Sequence, residues 1–268
     1  MDYSNSRKAI PATVVAWLVI VFLVAPLFVV VPFSFTSERY LSMPEGHLSL
    51  RHYDALLHDA VWLKAIGQSV SIGLCATILA VVVGASAAIG AWHFKGWVGR
   101  IVSLLALLPL IVPAVVTAMA LSRTWVTLDL FDTFTGTILA HSIIGTPFVF
   151  MTVSAALEGL DVRLVQAARS LGSSTLQALV DVVLPNLTVG VASGAAFAFF
   201  TSWDEIVVTQ FLTSRNVFTL PKKIFSDIRE NIDPTVTAAA SVLILLTVLF
   251  AIYFLVKGNR EASVKETL

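Results

Sequence analysis

The chain has 268 residues, 57% of them hydrophobic and only 13% charged, with a mean hydropathy of +0.88, whereas a soluble domain carries about a quarter charged residues. This composition excludes a soluble globular domain and describes an integral membrane protein. Basic and acidic residues balance at 17 each without a dense basic run, which excludes nucleic acid as a partner, and the single cysteine, Cys75, excludes an intramolecular disulfide.

After a polar start carrying Arg7 and Lys8, the first apolar run covers 10–35. It is about twice the length of a signal-peptide core and ends without a small-residue cleavage site, so it reads as a retained span. The stretch 36–63 holds Glu38, Arg39, Glu45, Arg51, Asp54 and Asp59 and belongs in water or at the interface. Its second half has helical apolar spacing from Tyr53 to Val61, a short helix leading into the bilayer. A second span, 65–91, is rich in Gly, Ala and Ser, which let helices approach closely in lipid. A turn with Lys95 and Arg100 joins it to a third span, 101–121, in which Pro109 and Pro113 predict a kink. The polar turn 122–136 precedes a fourth span, 137–157, where His141 reads as an interfacial or packed histidine with no metal-type neighbour at helical spacing. A polar island, 158–186, leads to a fifth span, 187–212, opened by the close-packing pair Gly190 and Gly194. The loop 213–234 contains an amphipathic stretch, Lys222 to Ile232, with Lys222 and Lys223 on its polar side, suited to the outer membrane–water boundary. A sixth span, 235–256, and a tail with Lys257, Arg260 and Lys265 complete the chain. Residues 1–268 therefore read as one all-α transmembrane domain of six helices with both termini on one face. The shortest loops slightly favour the cytoplasm for that face.

The polar island is too charged for hydrocarbon and too patterned for a linker. Val162 to Ser170 reads as a helix, Gly172 as a break that wants a positive φ, Ser173-Ser174-Thr175 as an N-cap, and Leu176 to Val183 as a second short helix stopped before Pro185. An interfacial helix lying on lipid and a helix docking into a partner's cleft both fit this pattern.

Gln166-Ala167-Ala168, three residues, Gly172, nine residues, then Val182, any residue, Leu184-Pro185 resembles the cytoplasmic loop of permease subunits in binding-protein-dependent ABC importers. Gln166 stands where that family has Glu, and Val182 replaces an Ile. The amide keeps hydrogen-bonding capacity and loses the charge, so a salt bridge at this position is in doubt. Ser202-Trp203-Asp204-Glu205-Ile206-Val207-Val208, Thr219-Leu220-Pro221 and Ile228 to Pro234 resemble most the second permease of spermidine/putrescine-type importers. The resemblance implies a type I importer permease fold in the bacterial inner membrane and a heterodimer with a second permease. It also implies two ATPase subunits that bind ATP and Mg, and an extracytoplasmic solute-binding protein. In that family the loop is the coupling helix, which transmits ATPase closure to the membrane.

Asp204 and Glu205 lie in an otherwise apolar span, where an ionised carboxylate costs several kcal/mol unless it meets water, protein or a counter-charge. One reading lines the pathway with at least one of them, attracting an amine-bearing solute over the Trp203 ring. The other places them at the outer interface, capping a helix break or pairing with Arg215. Resemblance to the family's acidic pair tilts toward the pathway. The chain contains no GxxxxGK[ST] loop, HExxH or GxSxG, so no ATP site or enzymatic centre of those kinds and no cofactor of its own is expected. The competing function is an ion-coupled secondary transporter or channel for a cationic solute, which needs no ATPase-docking helix.

Overall fold

A segment in hydrocarbon has no water for its N–H and C=O groups, so the apolar runs satisfy them internally as helices. The computed structural model describes residues 6–94, 96–230, 233–245 and 248–249, and every regular element among them is helical. In order these are α1 (Ser6–Phe33), α2 (Arg51–His58), α3 (Ala60–His93), α4 (Trp97–Ile111), α5 (Ala114–Thr127), α6 (Phe134–Glu158), α7 (Val162–Ser170) and α8 (Thr175–Ala178). A π-helical turn (Leu179–Val183) follows, then α9 (Leu184–Asn186), α10 (Thr188–Trp203), α11 (Val207–Leu212), α12 (Leu220–Glu230) and a short apolar helix, α13 (Thr235–Leu245).

Among the described residues three helices, α1, α3 and α6, are long and apolar enough to cross a membrane alone, and up to five spans result if each of two bent pairs counts as one. α1, α3 and α6 overlap the stretches 10–35, 65–91 and 137–157. The third expected span is not a kinked helix. α4 and α5 meet at 103°, because Val112 precedes Pro113 and takes an extended backbone, ψ 129°, where helical geometry would clash with the proline ring. The fifth span is also discontinuous, with α10 ending at Trp203 and α11 starting at Val207. α13 begins where the sixth span was expected. Most of the chain beyond Leu245, including Lys257, Arg260 and Lys265, lies outside the described residues.

The chain divides into two compact units, one containing residues up to Leu63 and from Ile224 onward, the other Lys64–Lys223. In the first unit, none of the most apolar window of α1 is buried, and Phe22 and Phe28 are 77% and 73% exposed. A helix apolar all round and uncovered is one whose surroundings are lipid or another membrane helix. His52 is buried and ties α2 to its neighbours, its Nε2 lying 3.0 Å from the Glu38 carbonyl and its Nδ1 3.3 Å from the Thr235 hydroxyl.

The second unit is built around α6, which packs along α10, α4 and α11. Gly190 and Gly194 make the α6–α10 approach possible. A Cβ on Gly190 would stand 2.8 Å from Ala156 Cβ, and one on Gly194 would stand 2.8 Å from Val149 Cα and collide with the Thr152 hydroxyl. Val149, Val153, Leu157 and Leu187 fill the seam. A second cluster joins Ala118 and Trp125 of α5 to Ala140 of α6 and to Val208 and Leu212 of α11.

Candidate functional site

The predicted residues fall into two groups. Gln166 to Pro185 occupy the end of the second unit where α6 finishes. Trp203, Asp204 and Glu205 lie at the far end of α10, a helix of 16 residues and hence about 24 Å long.

In the first group, the sequence reading of α7 holds to the residue, Val162–Ser170. Asp161 caps it by accepting the Arg163 N–H at 2.9 Å. Gly172 sits at φ +97°, and the Gly172 N–H donates to the Arg169 carbonyl while the Ser173 N–H donates to the Ala168 carbonyl. These two bonds close the helix as a Schellman motif, which explains the spacing from Ala168 to Gly172. Ser174 and Gln177 then form a capping box that starts α8.

The second short helix does not stop at Pro185. It widens into the π-turn at Leu179–Val183 and continues through Pro185 to Asn186. Proline lacks an N–H and crowds the preceding turn, and a π-turn just ahead of it gives the backbone room. The chain then bends by 65° into α10. Half-buried Val165 and Ala168 set α7 on the body, while Gln166, Ala167, Gly172, Leu184 and Pro185 are exposed and Val182 is half-buried. Leu171 and Leu176 stand out at 88% and 69% exposed. Beside α7 lies a cleft of about 560 Å³ walled by Trp92, His93, Phe94, Val165, Arg169 and Leu179.

In the second group the structure separates the acidic pair. Glu205 folds back on its own chain, its Oε1 accepting the Val208 N–H at 2.8 Å in the first turn of α11, as an N-terminal carboxylate does. Asp204 is exposed. Neither carboxylate pairs with Arg215 among the described residues, and the Arg215 backbone N–H donates to Asp132. The Trp203 ring stacks on Phe199 at 5.9 Å between centroids.

Two features escaped sequence reasoning. His141 is a bridge: Nδ1 lies 2.7 Å from Ser202 Oγ and Nε2 2.9 Å from Thr209 Oγ1, so it touches both helices flanking the acidic pair. The available signal was the spacing of Ser202 and Thr209, two helical turns apart on either side of that pair. The other feature is a clamp on the loop after α11. Asp132, at φ 54°, accepts backbone N–H bonds from Ser214, Arg215, Asn216 and Val217. Gln68 donates to the Asn216 carbonyl and accepts the Phe218 N–H, and Ser69 accepts the Leu220 N–H.

Burial raises the Asp132 carboxyl, but the bonds from Ser214, Asn216, Arg215 and Val217 outweigh it and hold it below its ordinary 3.8. Lys222, expected on a polar face, is 6% exposed. Its ammonium donates to the carbonyls of Thr213 and Ser214 and to the Thr213 hydroxyl, a cation at the C-terminus of α11. Burial lowers its pKa, and Asp132 opposes the shift.

Comparison with known proteins places this geometry. Residues 80–258 match the family described as binding-protein-dependent transport system inner membrane component. The chain is 29% identical to the spermidine/putrescine transport system permease protein PotC of Haemophilus influenzae, over 86% of this chain and 90% of that protein. It is 32% identical to the putrescine transport system permease protein PotI of Escherichia coli K12, over 83% and 82%. Among solved structures, a bacterial ABC transporter involved in the import of alginate superposes with a TM-score of 0.70 at 13% identity, over 96% of this chain and 98% of that one, which speaks to the fold. With a cap-and-glycine motif at one end of α10 and a broken, acid-bearing span at the other, the chain belongs to the inner-membrane permease family of binding-protein-dependent ABC importers.

Proposed function

We propose that this permease lines half of the translocation pathway for a polyamine or related amine, and that Asp204 is its cation-attracting group. The observation that carries the reading is the exposed Asp204 at the break of an apolar span. His141 lies seven residues into α6, which puts the break about 10 Å from that helix's start and about 26 Å from its end. At such a depth an exposed carboxylate facing hydrocarbon is strongly unfavourable. A surface shared with a second permease and wetted by the pathway accommodates it. The relatives named for spermidine and putrescine support a cationic solute.

A subunit of this family works with another permease, an ATPase and a binding protein. Our finer reading is a heterodimer with a related permease, two ATPase subunits that hold ATP and Mg, one binding protein outside, a single transmembrane domain over 1–268, and both termini in the cytoplasm. Gln166 to Pro185 is the ATPase-coupling segment, and exposed Leu171 and Leu176 supply its apolar contact. The neutral Gln166 docks through hydrogen bonds instead of a salt bridge.

The test is uptake of radiolabelled putrescine and spermidine, with parallel ATP hydrolysis, by the complete transporter in vesicles. Asp204→Asn is expected to raise the KM for both amines by about tenfold, the order of one lost charge-assisted contact. Gly172→Pro is expected to leave hydrolysis running without uptake. Unchanged amine uptake in Asp204→Asn removes the pathway assignment, and coupled transport in Gly172→Pro removes the coupling one.

A further inference from the structure

We propose that His141 is a positioning residue, a staple from α6 that fixes the angle between α10 and α11 and so holds Asp204 at the pathway surface. The proposal rests on the pathway reading of Asp204. Three observations carry it. His141 is 2% exposed in an apolar span, and its two ring nitrogens both meet hydroxyls, one from the last turn of α10 and one from the first turn of α11. The Thr209 hydroxyl in turn donates to the Glu205 carbonyl at 3.0 Å. Because that hydroxyl has one hydrogen and spends it there, it accepts from His141, so Nε2 carries the imidazole proton and Nδ1 accepts from Ser202. One neutral tautomer therefore satisfies all three groups.

The second observation is that the backbone between the helices makes few bonds of its own. Asp204 N–H closes the end of α10 on the Phe200 carbonyl, and Glu205 N–H reaches the Ser202 carbonyl only at 3.4 Å. The apolar contacts of Val208 and Leu212 with α5 and α6 hold α11 against the bundle. Such packing is non-directional, and hydrogen bonds set rotation about the helix axis.

The third is continuity. The Thr213 hydroxyl donates to the Thr209 carbonyl at 2.8 Å and accepts from Lys222 at 2.8 Å. α11 is thus fixed at its start by the histidine and at its end by the lysine, leaving residues 204–206 as the joint.

The experiment uses the full chain in membranes, in a Cys75→Ser background with Asp204→Cys, and reads the labelling rate of that thiol by a cationic, membrane-impermeant methanethiosulfonate. His141→Leu is expected to shift the rate by about tenfold. His141→Gln, which keeps a donor and an acceptor, is expected to stay near the parent rate. Ser202→Ala and Thr209→Val remove the two bonds separately while the imidazole stays packed, and each is expected to give an intermediate shift. In chains that keep Asp204, His141→Leu is expected to raise the putrescine KM about tenfold with little change in the maximal rate per assembled transporter, and His141→Gln to restore it. Labelling rates unchanged by His141→Leu, Ser202→Ala and Thr209→Val overturn the proposal. Labelling shifts together with normal amine uptake in Asp204→Asn would instead overturn the pathway reading and leave the staple standing.

Discussion

Asp132 shows how one residue organises a loop. Its left-handed backbone turns the carboxylate toward four consecutive N–H groups of residues 214–217, a concave run of amides suited to an anion. Replacing it by alanine leaves those donors to water or unpaired, so Asp132→Ala is expected to destabilise the loop by about 1–3 kcal/mol. The readout is faster proteolysis between residues 213 and 219 in detergent-purified protein, with Asp132→Asn partly protective. The pH dependence follows from the depressed carboxyl. Its contribution is fully present above about pH 4, where the unfolded carboxyl is ionised, and is lost as pH falls through the lower folded value. Protection of the loop should therefore be flat from pH 5 to 8 and fall below pH 4, and Asp132→Asn should abolish that part of the profile. Glu205 and Asp204 make the complementary point. Adjacent carboxylates look alike in sequence, yet one is consumed by the first turn of α11 and the other is left exposed.

Among elements, the α6–α10 seam is the tightest contact with an identifiable cause. The backbone of Val149 and Thr152 lies where side chains at Gly190 and Gly194 would go, and backbone yields less than a flexible side chain. Gly194→Val is expected to destabilise the permease by about 1–3 kcal/mol through overpacking, seen as a lower thermal aggregation midpoint of the solubilised chain, whereas Gly67→Ala, with open space at its Cβ, should change it little. The bends form a second class. Each of Pro113 and Pro185 was legible as an interruption, but their consequences differ. At Pro113 the preceding residue leaves helical geometry and the chain turns by 103°. At Pro185 a π-turn absorbs the ring and the helix goes on for one more residue. Which outcome occurs depends on what the next segment packs against, here α6 and α11 for α5 and the α6 seam for α10.

For the whole molecule, the two ends of α6, a helix of 25 residues and so about 37 Å long, separate the Asp132 clamp from α7. We therefore expect cysteines at Gly172 and Arg215, each in a Cys75→Ser background, to label from opposite sides of the membrane. Gly172→Cys should react only in inside-out vesicles and Arg215→Cys in intact spheroplasts, and labelling from the same side would refute the six-span topology with cytoplasmic termini. Composition and the long apolar runs determined that this is a helical membrane protein, because so few charged residues cannot cover so much apolar surface in water and a chain in hydrocarbon satisfies its backbone as helix. The cap, glycine and proline signals from Asp161 to Pro185 determined α7 to the residue, because those signals act through bonds between near neighbours in the chain. Only tertiary structure decided that the fifth span breaks, that His141 bridges the break, that Lys222 turns inward, and that Asp132 holds a loop more than 80 residues away. The histidine bridge and the Asp132 clamp are hydrogen bonds between segments distant in sequence, and the break and the inward lysine follow from how α11 seats against the bundle. The partners are chosen by how helices pack, and neither periodicity nor propensity carries that information.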